Sequence, residues 1–243
     1  MDPYNPLEKY GISLATAAFS KRQDGNMSLS YGDTRGSLEN RKKFLSSMGI
    51  NYSNLICAKQ MHGKNVKYVK EEHKGSGALN YESSIADTDG FMTDKKGVPI
   101  AILTADCLPV FIYDPKRPAV VLLHAGWRST EKNIAAEGVR ALQEKFGSSP
   151  QRLFVGFGPS IRSCCFEVDK NFKSNFPFGI LTRDGHNFMD IALMNKQQLI
   201  NCGVQEKNIF DPGFCTSSNN QDYFSFRKEA DTCGRLISVI MLK

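Results

Sequence analysis

Three segments of the chain set a metal-competent side chain beside glycine or turn residues: Gln60-Met61-His62-Gly63, Thr104-Ala105-Asp106-Cys107-Leu108-Pro109 and His124-Ala125-Gly126-Trp127-Arg128. Each adjoins an apolar run that reads as a strand, and strand ends carry side chains to the rim of a core, where pockets form. A thiolate and two neutral imidazoles suit a borderline-soft cation such as zinc, and three protein ligands leave a fourth position open, as catalytic zinc sites do. The residual positive charge would acidify a bound water. Two other readings use the same residues. Cys107 could be a nucleophile activated by His124, giving a thiol hydrolase or deamidase. Or the two histidines are separate hydrogen-bonded side chains and Cys107 a small buried hydrophobe. His62, Cys107 and His124 are too widely spaced for a local zinc loop, so only tertiary structure could gather them.

Composition narrows the classes. The 243 residues include only four histidines, too few for a multicopper cluster fed by imidazole. The seven cysteines form no C-x-x-C, which disfavours a zinc ribbon or a thioredoxin motif. A net charge of +6 fits anionic small ligands and falls short of a nucleic-acid footprint. The start, MDPYNPLEKYG, lacks the apolar core of a leader. The most apolar stretch, Val98 to Tyr113, is broken by Asp106 and Pro109, so no bilayer span is expected. A cytoplasmic protein with reduced thiols, without membrane or nucleic-acid partners, is the expectation.

The elements that must position the three segments read as follows. Strands are expected at Ile12–Phe19, Leu55–Lys59, Asn65–Val69, Ile100–Leu103, Val110–Tyr113, Val120–His124, Leu153–Val155 and Leu236–Leu242. The central runs are almost wholly apolar, as in strands covered on both faces. Helices are expected at Gly36–Met48, Thr130–Phe146, Val168–Phe176 and Asp190–Cys202, with Asp190 as N-cap and Gly203 just past the end. No linker or repeat divides the chain. Strands and helices mix without a regular βαβ beat, which favours an α/β (α+β) sandwich over a doubly wound fold.

Taken together and in order, QMHGKNV, DTDGFMTD, TADCLPVFIYD, HAGWR, GPSI followed by CCFEV, and the C-terminal CT, FSFRKE and TCGR segments resemble the YfiH/YlmD family, also called the laccase-domain or polyphenol-oxidase family. The likeness runs from about Asn40 to Arg235. It implies one catalytic domain over residues 1–243, with central mixed sheets flanked by helices, similar to the catalytic domain of cytotoxic necrotizing factor. It implies one zinc ion, with copper as an alternative, on His62, Cys107 and His124. It also implies phosphorolysis of adenosine, inosine and S-methyl-5'-thioadenosine, with adenosine deamination as a side activity. Purine nucleosides and phosphate would then be the partners, and the chain a monomer or weak homo-oligomer. Two rivals stand beside this expectation. One is an amidase that removes a misplaced serine from a muramic-acid precursor. The other is a non-enzymatic binding module with a structural metal, its fourth ligand a thiol such as Cys57. The chain departs from the family pattern at Ser129 and Lys228, where glycine and arginine are usual.

Phosphorolysis needs cationic donors for phosphate beside the glycosidic carbon. Arg41, in the Asn-Arg pair of the first helix, is the leading candidate, against a solvated place in the Arg41-Lys42-Lys43 run. Arg128 and Arg227 are alternatives. Asp106 could shuttle protons or orient a histidine ligand. Asp87 and Asp89 read as turn residues rather than ribose contacts. Phe157 and Phe226 read as core, Cys215-Thr216 as pocket wall, Cys164-Cys165 as inert, and His73 and His186 as exposed.

Overall fold

The computed structural model describes residues 4–176 and 178–243. The first three residues of the start read above for a leader lie outside them. No helix among the described residues is long and apolar enough to cross a membrane.

Strands β1 (Ala15–Phe19), β2 (Val66–Tyr68), β3 (Gly90–Thr93), β4 (Ile100–Thr104), β5 (Leu108–Asp114), β6 (Ala119–Ala125), β7 (Phe154–Phe157), β8 (Glu167–Val168), β9 (Ile180–Arg183), β10 (His186–Met189), β11 (Ile209–Phe210) and β12 (Leu236–Leu242) form three sheets. The largest has the order β11-β7-β5-β6-β3-β2, the second β1-β12-β4, and the third is the small β8-β10-β9 sheet. Helices are α1 (Thr34–Ser46), α2 (Trp127–Glu131), α3 (Ile134–Phe146), α4 (Phe172–Asn175), α5 (Ile191–Asn201) and α6 (Phe226–Glu229).

The layering follows from period-two patterning in strands apolar on both faces. Along β5, Val110 and Ile112 join a core with Leu123, Ile134, Val139, Leu142 and Leu199, beneath α3 and α5. The alternate residues Phe111 and Tyr113 face the second sheet, packing with Ile100, Ile102 and Ile240. That sheet's outer face carries Ala101, Ile237 and Val239, which α1 covers with Phe44 and Leu45. The result is a helix–sheet–sheet–helix sandwich, the expected α/β class.

Local departures have local causes. The helix expected over Thr130–Phe146 divides at Asn133, which adopts φ 62°. Asn195 and Gln198 of α5 hold Thr130 at this break through its hydroxyl and its carbonyl. The expected helix at Val168–Phe176 shrinks to α4, because Glu167–Val168 pairs with β10. The β9–β10 hairpin lies outside the expected strands; Asp184 and Gly185 both take positive φ at its turn, as a type I′ connection requires. Leu55–Lys59 forms only isolated bridges at Ile56 and Ala58. At α5, Asp190 accepts the Leu193 N–H as an N-cap should.

Candidate metal site and pocket

The three segments meet at one end of the six-stranded sheet. In the β5–β6 pair, Leu108 faces Ala125 and Pro109 faces His124. Cys107, one residue before β5, therefore lies beside the end of β6. In the β3–β6 pair, Gly90 faces Leu123, which brings Asp89 to His124. The donor atoms of His62, Cys107 and His124 all lie within 4.8 Å of one another. Among the described residues no fourth His, Cys, Asp or Glu joins them. Cys57, considered as a fourth ligand, is buried away from the group, with its sulfur 4.0 Å from Arg41 Nη1. The donor set is chemically apt for one ion of zinc-like or copper-like softness.

Asp89 organises the ligands. Its Oδ1 lies 2.8 Å from His124 Nδ1 and accepts the His62 N–H at 2.9 Å. Its Oδ2 accepts the N–H groups of Gly63 at 2.7 Å and Met61 at 3.1 Å. One buried carboxylate thus clamps the turn that holds His62 at φ 57° and fixes the ring of the second histidine, leaving His124 Nε2 for an ion. The reading of Asp89 as a plain turn residue is corrected; a carboxylate in DTDG gave no sequence signal of its contact with His124. Gln60 ties the same loop to β4 by two 2.8 Å bonds with the Leu103 backbone. Gly126 is glycine for space. A Cβ there would stand 2.8 Å from His62 Cδ2 and 3.2 Å from Cys107 Sγ.

Asp106 does not reach either histidine, which corrects its expected orienting role. Its Oδ1 accepts from Thr216 Oγ1 at 2.6 Å and its Oδ2 from the Arg227 N–H at 2.7 Å. Its φ of 87° turns the chain between β4 and β5, so these two bonds stabilise an unfavourable backbone that presents Cys107. The CT and FSFR segments serve the TADC turn in this way.

In the metal-free protein the site is an ion pair. Burial opposes the Cys107 thiolate, but His124 and His62 outweigh it and hold the thiol down to about 6. Burial likewise opposes the His124 cation, yet Cys107 and Asp89 raise it to about 9. Metal-free protein should therefore show a thiolate absorbance step near pH 6 that Cys107→Ser removes. A step only in the ordinary cysteine range would contradict the pairing.

The expected cationic residues lie elsewhere. Arg41 is only 1% exposed. Its Nε donates to the Met27 carbonyl and its Nη1 to the Gly77 and Ala78 carbonyls, at 2.8, 3.0 and 2.9 Å. It braces the wall behind the site. We expect Arg41→Met to lower stability by about 3 kcal/mol, read as a lower denaturant midpoint, because three buried carbonyls lose their donor. Arg128 is exposed and stacks on Trp127 at 4.0 Å. The Arg227 guanidinium donates to the Glu167 and Cys165 carbonyls. None of the three lines the cavity above the ligands.

That cavity, about 570 Å³, has His62, Cys107 and His124 in its wall together with Tyr31, Tyr81, Phe226 and Arg235. Its size lies in the usual small-ligand range of about 300–1,000 Å³. A larger groove, about 690 Å³, near Tyr4 and Tyr223 has no histidine or cysteine in its lining. Phe226 is 48% exposed at the cavity, against the expectation that it packs in the core, whereas Phe157 is fully buried as expected. Arg235 stacks over Tyr31 at 4.3 Å and donates Nη1 to the Cys233 and Gly234 carbonyls. In the sequence Arg235 is marked only as the last residue of the TCGR segment. Of the other histidines, His73 caps its own turn and His186 pairs with Glu167.

Fold and site define the class. The chain belongs to the family described as multi-copper polyphenol oxidoreductase laccase, which it matches over residues 10–243. The donors gathered at this pocket suffice for a single ion rather than the multinuclear centre of the family's description. Among particular relatives, the chain is 31% identical to purine nucleoside phosphorylase YlmD of Geobacillus stearothermophilus, over 88% of this chain and 82% of that protein. The crystal structure of YlmD from the same organism covers 95% of this chain and 93% of its own, with 28% identity and a TM-score of 0.91. A further relative, adenosine deaminase RL5 from an unknown prokaryotic organism, is 27% identical over 85% of this chain and 82% of that protein.

Proposed function

We propose that the chain is a zinc-dependent purine nucleoside phosphorylase acting on adenosine, inosine and S-methyl-5'-thioadenosine, with adenosine deamination as a side activity. The observation that carries this reading is the convergence of His62, Cys107 and His124 in the wall of a cavity bordered by aromatic side chains and one arginine. Tyr31, Tyr81 and Phe226 offer π-faces on which a purine can stack. Arg235 keeps its Nε and Nη2 free of protein acceptors among the described residues, and that edge suits bidentate binding of phosphate. Phosphate bound there would be oriented to attack C1′ as the bond to the base breaks. Zinc on the three ligands, or copper in its place, would supply Lewis acidity and an acidified water. Arg41, Arg128 and Arg227 give up the phosphate role to Arg235, and Asp106 acts by holding Cys107 in place.

The test is product mass after incubation of zinc-replete protein with inosine, with and without phosphate, and separately with a muramoyl-serine substrate. Hypoxanthine and ribose 1-phosphate, formed only with phosphate, support the reading. Serine release without nucleoside turnover would replace it with the amidase. Arg235→Ala should raise KM for phosphate about 10- to 100-fold, as loss of a charged hydrogen-bonding group does, while leaving kcat for deamination nearly unchanged. Equal loss of both activities would place Arg235 in a merely structural role.

A further inference from the structure

A second donor cluster lies apart from the pocket wall. The sulfur atoms of Cys164, Cys165 and Cys215 all lie within 4.8 Å of one another, and those of Cys164 and Cys165 are 3.6 Å apart. All three are free thiols. Two come from the turn after Ser160-Ile161-Arg162, and the third arrives from a segment far along the chain. A bridge joins Ser160 to Cys215, with Ser160 N–H donating to the Phe214 carbonyl and Thr216 N–H to the Ser160 carbonyl. The juxtaposition is therefore fixed by backbone pairing rather than by chance side-chain approach.

The geometry suits an ion. Three sulfurs at about 2.3 Å from a metal in one plane stand about 4 Å from each other. The burial is graded, with Cys215 buried, Cys165 half-buried and Cys164 exposed, so the cluster has both a floor and an entry path. Guanidinium groups surround the cluster, while burial and the neighbouring Cys215 and Cys165 push the Cys164 thiol up to about 12, so its proton leaves only in exchange for an ion. Arg183 donates to the Ser163 and Cys164 carbonyls, Arg227 to those of Cys165 and Glu167, and Arg162 lies alongside in a pair with Asp211. Burial raises the Cys215 thiol, but N–H and hydroxyl donors from Ser218 and the Arg162 N–H bring it below its ordinary value.

The donor chemistry selects the ion. Among the described residues no imidazole or carboxylate joins the group, so every donor is soft sulfur. Zinc would seek a fourth ligand, whereas thiolate sets select copper(I) among biological metals. We propose that Cys164, Cys165 and Cys215 form a second metal site, for copper(I), distinct from the His62–Cys107–His124 set. Binding exchanges thiol protons for the ion, with no change of oxidation state. The proposal is independent of the nucleoside reading. It replaces the expectation that Cys164-Cys165 are inert.

The experiment is an anaerobic titration of reduced, metal-free, full-length protein with copper(I) against the chromophoric chelator bicinchoninate. Wild type should withdraw about two equivalents per chain, one for each donor set. The double variant Cys164→Ser/Cys165→Ser should take about one, and Cys107→Ser should also take about one. Copper K-edge absorption of the Cys107→Ser protein should show a shell of sulfur alone, and that of the double variant a shell containing nitrogen. Circular dichroism would verify that the double variant, changed at exposed and half-buried positions, keeps its fold. The proposal is overturned if the double variant takes as many equivalents as wild type, or if nitrogen dominates the Cys107→Ser shell.

Discussion

Asp89→Asn should weaken metal binding by about 10- to 100-fold, the usual cost of removing a carboxylate that orients a histidine ligand, and should destabilise the fold by about 3 kcal/mol. The carboxylate uses both oxygens, each for two partners: Oδ1 serves His62 N–H and the His124 ring, and Oδ2 serves the Met61 and Gly63 N–H groups. Asparagine is nearly the same shape but has one oxygen. If that oxygen faces His124, its NH₂ group points at two backbone donors; if flipped, it points at His62 and the histidine ring. Either way a buried donor meets a donor. The left-handed backbone at His62 then loses its clamp, and the first ligand drifts as the second loses its orientation. Chelator competition reads the affinity and a denaturant titration reads the stability. Unchanged affinity would mean that the ligands are positioned without Asp89.

Cys107→Ala should abolish stoichiometric metal and reduce purine turnover by about 10³-fold or more, as removal of a central catalytic group does. The side chain is the one anionic ligand among the three, and no neighbouring His, Cys, Asp or Glu is placed to substitute for it among the described residues. The fold should survive. Cys107 is half-buried at the pocket, and its turn is held by Asp106 through Thr216 and Arg227 rather than by the thiol. Metal analysis and product assays on the same preparation test both halves together. Retained turnover in metal-free Cys107→Ala would remove the ion from the chemistry, and lost turnover with metal retained would point to the thiol as nucleophile.

What the sequence made legible is what periodicity and residue chemistry encode locally. Strands β4, β5 and β6 are readable because their apolar runs are nearly continuous, and α5 because Asp190 and Gly203 punctuate it. His62, Cys107 and His124 stand out because few side chains bind soft cations and each adjoins turn residues. The supporting contacts were not legible. Asp89 reaches His124 through strand pairing, and Arg235 reaches the cavity from the residue just before β12, so both depend on register. Arg41 misled because a charge in a basic run reads as solvated or ligand-binding, and only the fold shows carbonyls from Met27, Gly77 and Ala78 converging on it. Phe226 misled for the opposite reason, since aromatic residues are more often core than pocket. The split of α2 from α3 was hidden because the helical apolar period runs on past Asn133, and contacts from α5 impose the break.

The most direct measurement is anomalous X-ray diffraction from crystals of zinc-loaded protein, collected on both sides of the zinc absorption edge. A single peak bonded to His62, Cys107 and His124, with its remaining side open to the cavity that holds Tyr31 and Arg235, is the predicted result. A peak closed off by a fourth protein ligand, or none between these three side chains at full zinc loading, would contradict a catalytic metal at this site.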